Sequence, residues 1–265
     1  MPYPTHRPFF LVDNDTRDYA LYDADQSYAK FNPELESAVR HMEAAIRDRG
    51  GVIQVAFAKL PLFEQFDATC VSLMQDGNPM YHAEVWFGEN VVQIGAGQRG
   101  IDLYSLPRKD GLWEVVRLPF ADPCLAFRLA VDIVRRCHKE DVCYDDHLWK
   151  NLECGLCRAL WVRDMADRWV CGDDYDEERP ETWTNGVHCS QIVLLFLKRC
   201  VRHGALAPAR DPLFFLNTYS HTCLPAQLRV LLDLMWGDRL VVETRDMNHV
   251  PKEVLKQWYG EGADA

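Results

Sequence analysis

Gly186-Val187-His188-Cys189-Ser190-Gln191, followed by Ile192-Val193-Leu194-Leu195-Phe196-Leu197, decides the reading of this chain. The apolar run predicts a helix that is hydrophobic nearly all round, and such a helix belongs in the centre of a core. Lys198 and Arg199 near its end and Gly204 beyond it are C-terminal helix signals. Cys189 therefore opens the core helix. A thiol in that place sits at the positive end of the macrodipole, beside N–H groups that lack intrahelical partners, and both effects favour the thiolate. The same position equally suits an inert cysteine acting as a small apolar side chain. Chemistry at Cys189 requires a base.

The candidate base is His82, far upstream in Tyr81-His82-Ala83-Glu84-Val85-Trp86-Phe87. The period of two predicts a strand with Tyr81, Ala83, Val85 and Phe87 on an apolar face and His82, Glu84 and Trp86 on the other. A two-residue turn at Gly88-Glu89 would pair Phe87 with Asn90, Val85 with Val92 and Ala83 with Ile94. In that register Gln93 lies opposite Glu84 and diagonal to His82, within reach of a polar contact. Neighbouring His188 is expected to be structural, because the side chain before a helix-opening residue normally points away from it. A lone strand histidine is more often a satisfied core residue than a base; the pairing with Cys189 is what singles out His82.

Elsewhere the chain reads as a mixture of helices and strands. The first thirty residues have no clear period and are expected to form an irregular arm. Asn32 and Pro33 then start a helix that stops at Gly50-Gly51. Strands are predicted at Val52 to Phe57, near Thr69 to Leu73, and near Trp113 to Leu118, with helices from Asp122-Pro123 and over 148–162. The acidic stretch Gly172 to Glu178 is expected to be a solvated loop, since it lacks calcium-loop spacing. Leu213-Phe214-Phe215-Leu216 reads mainly as core, with an acyl-pocket role as the alternative. The boundaries drawn are an N-terminal arm and helix over 1–50, a principal domain over 51–240 and a C-terminal tail over 241–265.

Composition limits the function classes. With 265 residues, 48% of them hydrophobic, the chain can bury a substantial core. A formal charge of −11 argues against a nucleic-acid backbone or an anionic membrane as partner. The N-terminus lacks a charged region followed by an apolar core, and no run approaches the eighteen or so apolar residues of a membrane span. A soluble protein of an intracellular, reducing compartment is expected, with its ten cysteines as thiols. Cys154-Gly155-Leu156-Cys157, with Cys137, His138, Cys143, His147 and Cys171 nearby in sequence, offers a structural zinc site. Without a second Cys-x-x-Cys, the pair reads better as two core residues sharing a helix face, and neither metal nor cofactor is expected.

Taken in order, the buried strand, the His-x-Glu strand with its hairpin, the helix, Tyr144-Asp145, Cys189-Ser190 at a helix start and a late proline before a short helix resemble the circularly permuted branch of the NlpC-type papain-like cysteine peptidases, found in bacteria and large DNA viruses. The likeness spans about Val52 to Leu232. It implies an α+β, papain-like fold in which a small, mainly antiparallel sheet packs on the helix that starts at the nucleophile. It also implies a possible virion association. Cys189 matches the nucleophile, His82 the general base, and Gln93 the polar third residue on the following strand, with Glu84 as the alternative third residue. The implied activity is thiol-dependent hydrolysis by a cysteine peptidase or amidase through a covalent acyl-enzyme, on a peptide, amide or acyl-ester substrate. Related readings are a lipid acyl hydrolase or acyltransferase on the same fold, and a catalytically inactive binding module.

Overall fold

The structure is a computed structural model that describes residues 9–12, 19–22, 33–48, 51–60, 75, 77–88, 92–97, 100–104, 111–139, 188–218, 220 and 223–246. It is α+β. Its strands are β1 (Phe9–Val12), β2 (Tyr19–Tyr22), β3 (Ile53–Lys59), β4 (Met80–Phe87), β5 (Val92–Gly97), β6 (Gly100–Tyr104), β7 (Leu112–Arg117) and β8 (Val241–Asp246). The helices among the described residues are α1 (Pro33–Asp48), α2 (Pro123–Lys139), α3 (Cys189–Arg202), α4 (Pro212–Asn217) and α5 (Pro225–Trp236).

The strands form one sheet in the order β2-β1-β6-β5-β4-β3-β7-β8. All neighbours are antiparallel except β1 and β6, which meet in parallel at Val12 and Tyr104. The alternation in β3, β4 and β7 sorts their side chains onto two faces. On one face Val55, Phe57, Val85, Phe87 and Val116 join the main core with residues of α1, α2, α3 and α5. On the other, Ala56, Ala58, Trp86, Trp113 and Val115 form a second buried cluster.

Helix α3 occupies the middle of the main core, as its composition predicts, with Ile192 to Leu197 all buried. Its Phe196 ring meets Phe87 of β4 edge-on at 5.7 Å and stacks on Phe120 at 6.1 Å. Phe196→Ala should lower unfolding free energy by about 3–5 kcal/mol, because it removes aromatic contacts and leaves a void between helix and sheet. Urea denaturation of the full chain measures that loss. Lys198, on the same helix, is buried; its Nζ donates to the carbonyl oxygen of Thr218, the residue that caps α4 at its C-terminal end. A cation there complements the helix dipole.

Three local expectations change. Part of the presumed N-terminal arm is a β-hairpin that extends the sheet, with Phe9 paired to Tyr22 and Val12 to Tyr19. Val241–Asp246, placed in a tail, pairs with β7 along its whole length. The hairpin after the histidine strand pairs Phe87 with Val92, Trp86 with Gln93 and Val85 with Ile94. Residues 88–91 therefore connect the strands, two more than expected, starting from Gly88 at φ +58°. The strand expected near Thr69 to Leu73, the helix over 148–162 and the acidic Gly172 to Glu178 stretch lie outside the described residues.

Candidate active site

The site begins with an irregularity in β4. Ala58 of β3 pairs with His82, but the next residue, Lys59, pairs with Met80, so Tyr81 is an extra residue in the strand. Such a bulge re-aims side chains and is common beside functional sites. Met80 joins the main core in the place expected for Tyr81, while Tyr81 packs against the second cluster. This corrects the expectation that Tyr81 shares the face of Ala83. The tyrosine ring instead lies 6.4 Å from the ring of His82.

His82, Glu84 and Trp86 follow one another at every second position of β4. Glu84 is 2% exposed, and both of its carboxylate oxygens are engaged. Oε1 lies 3.0 Å from His82 Nε2, and Oε2 accepts the Trp86 indole N–H at 3.0 Å. The imidazole is thus held at Nε2, with the Trp113 ring edge-on at 6.5 Å. Its side chain keeps 23% of its exposure, which leaves an approach from solvent.

Cys189 lies at the start of α3, a helix packed on both β4 and β5. Its thiol and the His82 imidazole each dominate the other's ionisation. Burial by itself would lower the imidazole pKa and raise that of the thiol. Each partner's charge reverses this. For His82 the charge of Cys189 leads, aided by their hydrogen bond and by Glu84, and the imidazole is pushed up to about 10. For Cys189 the charge of His82 leads, followed by a hydrogen bond from His188, and the thiol is brought down to about 5. Between those limits the pair is a thiolate and an imidazolium. Tyr81 moves upward, through burial first and then the charges of Glu84 and Cys189, and stays a neutral hydroxyl.

Cys200 and Cys223 show the contrast. Burial pushes the Cys223 thiol up to about 12, and it pushes Cys200 well above the ordinary range. Both are buried packing residues.

Hydrogen bonds outside the pair brace its two halves. Ser190 Oγ donates to the Cys223 carbonyl oxygen at 2.5 Å. Three residues later, Ala226 N–H donates to Gln75 Oε1 at 2.6 Å, and Gln75 Nε2 donates to the Met80 carbonyl oxygen at 2.7 Å. The start of α5 and the residues before it are therefore tied to the cysteine helix directly and to the histidine strand through Gln75. Nothing in the sequence around Gln75 signals that role.

Of the residues expected in the site, Cys189, His82 and Glu84 come together and Gln93 does not. Gln93 pairs with Trp86, four residues along β4 from His82, which is about 13 Å of strand. The orienting contact on the imidazole comes from Glu84. His188, expected to be structural only, is 3% exposed and caps the α3 backbone through Nδ1, and it is among the groups that lower the Cys189 thiol. The Leu213 to Leu216 segment is mainly core: Phe215 is buried edge-on against Trp236 at 4.9 Å, Phe214 and Leu216 pack on the core, and Leu213 is exposed. Cys154 and Cys157 lie outside the described residues, and among the described residues there is no group of three metal-ligating side chains. No described helix is long and apolar enough to cross a membrane. Comparisons with protein-family models, with curated proteins and with solved structures find no match to this chain.

Proposed function

We propose that this protein is a thiol-dependent hydrolase, a cysteine peptidase or amidase of permuted papain-like type, with Cys189 as nucleophile, His82 as general acid and base, and Glu84 as the residue that orients His82. The observation that carries this reading is an imidazole bound by the buried Glu84 carboxylate, which with Cys189 at the head of α3 forms a pair whose charges shift each other's ionisation. Two chemically inert core residues have no need of that third group. The order of the chain, histidine strand before cysteine helix, also fits the permuted arrangement.

The reaction follows from the charges. The thiolate attacks the carbonyl carbon of an amide or acyl ester, and the C=O electron pair moves onto oxygen. The backbone N–H of Cys189, in the first turn of α3, donates to that oxyanion. As the tetrahedral adduct collapses, imidazolium gives its proton to the departing nitrogen or oxygen, which leaves a thioester and a neutral His82. His82 then takes a proton from water while the oxygen attacks the thioester. Expulsion of the thiolate releases the acid and restores the ion pair. Glu84 stabilises the cationic form of the imidazole and keeps its ring turned toward sulfur.

The sign of the pH dependence is fixed by the directions of the two shifts. Because the Cys189 pKa is lowered, the thiolate persists down to about pH 5 and is lost below it. Because the His82 pKa is raised, the proton for the leaving group persists up to about pH 10 and is lost above it. Hydrolysis of fluorogenic peptide amides or aryl esters should therefore show a broad bell between these limits, absent in Cys189→Ala. Iodoacetamide modification of Cys189, mapped by mass spectrometry, should show an acid limb near pH 5. At pH 7 Cys200 and Cys223 should stay unmodified. A Cys189 limb near the ordinary thiol value of about 8.5 would overturn the proposal.

A further inference from the structure

Regular alternation would set Tyr81 and His82 on opposite faces of the sheet. The bulge in β4 cancels that alternation at this one place. His82 pairs with Ala58 of β3, Ala58 pairs with Trp113 of β7, and both of these belong to the second cluster, on which Tyr81 packs. Two consecutive side chains therefore share one face, with ring centroids 6.4 Å apart and planes inclined by 34°. Both are half-buried, whereas Met80 before them and Ala83 to Phe87 after them are buried. The strand thus opens to solvent at these two rings. Among the described residues no hydrogen bond engages the Tyr81 hydroxyl. Because its pKa is raised, by burial first, that hydroxyl stays a neutral donor.

We propose that Tyr81 is a specificity-determining residue that binds the leaving group of the substrate, its ring lying along a planar amide or aryl group beside the scissile bond and its hydroxyl donating to an acceptor on that group. This rests on the reading of Cys189 and His82 as a nucleophile pair and deepens it. The leaving atom must come within hydrogen-bonding reach of the partly exposed His82 imidazole, which hands it a proton. Whatever that atom carries then passes over the face that His82 shares with Tyr81. Ammonia or a small alcohol ends before the second ring, 6.4 Å away. A leaving group that continues into an amide or aryl unit reaches it, and offers a flat surface together with a hydrogen-bond acceptor. In the acylation step the bond from Cys189 sulfur to the carbonyl carbon forms. The bond from that carbon to the leaving atom breaks with its electron pair on the leaving atom, and the His82 proton completes the departing molecule. Tyr81 exchanges no proton and holds the departing half in line.

Two acetyl donors test this in the full-length chain at pH 7. The leaving group of p-nitrophenyl acetate is flat and carries acceptors, whereas that of S-methyl thioacetate is a single methylthio unit. Acetyl transfer to Cys189 is followed for both, with the modified residue mapped by mass spectrometry. Tyr81→Ala is expected to lower the ratio of the p-nitrophenyl rate to the methylthio rate about fivefold to tenfold. Tyr81→Phe, which keeps the ring and its packing, should lower it about threefold. A ratio between donors cancels any general loss that reaches the site through altered packing, so a merely structural tyrosine would not move it. A ratio unchanged in both variants would overturn the role of Tyr81 and leave the nucleophile pair standing. A fall in Tyr81→Ala alone would support recognition by the ring and overturn the part given to the hydroxyl. An unaltered chain in which neither donor acetylates Cys189 faster than Cys200 and Cys223 would overturn the nucleophile pair, and this role with it.

Discussion

His82→Ala should move the acid limb of Cys189 alkylation from about pH 5 most of the way toward the ordinary thiol range. The charge of His82 is the leading influence that lowers this thiol, and burial, which opposes it, remains after the substitution. At pH 6 a thiol returned to about 8.5 is ionised roughly 300-fold less than one near 5. The alkylation rate falls by less, because a more basic thiolate is a better nucleophile; with a Brønsted slope of about 0.4–0.5 the net loss is roughly tenfold. Limb position is therefore the sharper readout. Hydrolysis should fall much further, by about 10³-fold or more, because the proton donor to the leaving group disappears together with the ion pair. Unchanged alkylation and hydrolysis in His82→Ala would remove the imidazole from the mechanism.

Glu84→Gln should pull down the basic limb of hydrolysis by about one to two pH units, the value of a hydrogen bond to a charged partner. Gln keeps the size of the side chain and can still receive the Trp86 indole N–H, but it supplies no charge behind the imidazolium. Since His82 is raised in the folded protein, its ion pairing stabilises the fold fully below its unfolded value of about 6.5. That contribution fades as pH rises through about 10. The stability lost in Glu84→Gln should therefore be about 1–3 kcal/mol at pH 6 and should vanish at the alkaline end. Glu84→Leu should be worse at every pH, as the buried Trp86 N–H then has no acceptor in its place. Chemical denaturation at pH 6 and pH 10.5 compares the two variants. Equal losses at both pH values for Glu84→Gln would show that the carboxylate acts by packing alone.

Both Gln93 and Glu84 were legible as partners for His82, and the choice between them depended on a register. A slip of one residue turns every side chain to the other face and would have broken the apolar match, but a slip of two preserves it. Hydrophobic alternation therefore cannot tell the two-residue turn at Gly88-Glu89 from the four-residue connection that forms. Pairing Phe87 with Val92 rather than Asn90 sets an apolar residue opposite it and carries Gln93 up to Trp86. For Glu84 the deciding factor is a tertiary contact. Two residues apart on one strand, His82 and Glu84 share a face, yet whether a carboxylate can turn back onto the ring depends on the Trp86 N–H that holds its other oxygen.

The sequence by itself determined the elements whose signals are local. Apolar runs, helix-stopping glycines and period-two alternation located α1, β3, β4, β7, α2 and α3, and the place of Cys189 at the head of the core helix followed from its own neighbours. Only the tertiary structure decided what meets Cys189 in space. The bulge at Tyr81, the brace through Gln75, the cap that the His188 ring places on α3 and the inclusion of Val241–Asp246 in the sheet each depend on hydrogen bonds between residues distant in the chain or on ring orientation in a packed setting. Local propensity is a property of a few consecutive residues. A thiolate held next to an imidazolium is a property of two surfaces brought together by burial, and no stretch of sequence contains both.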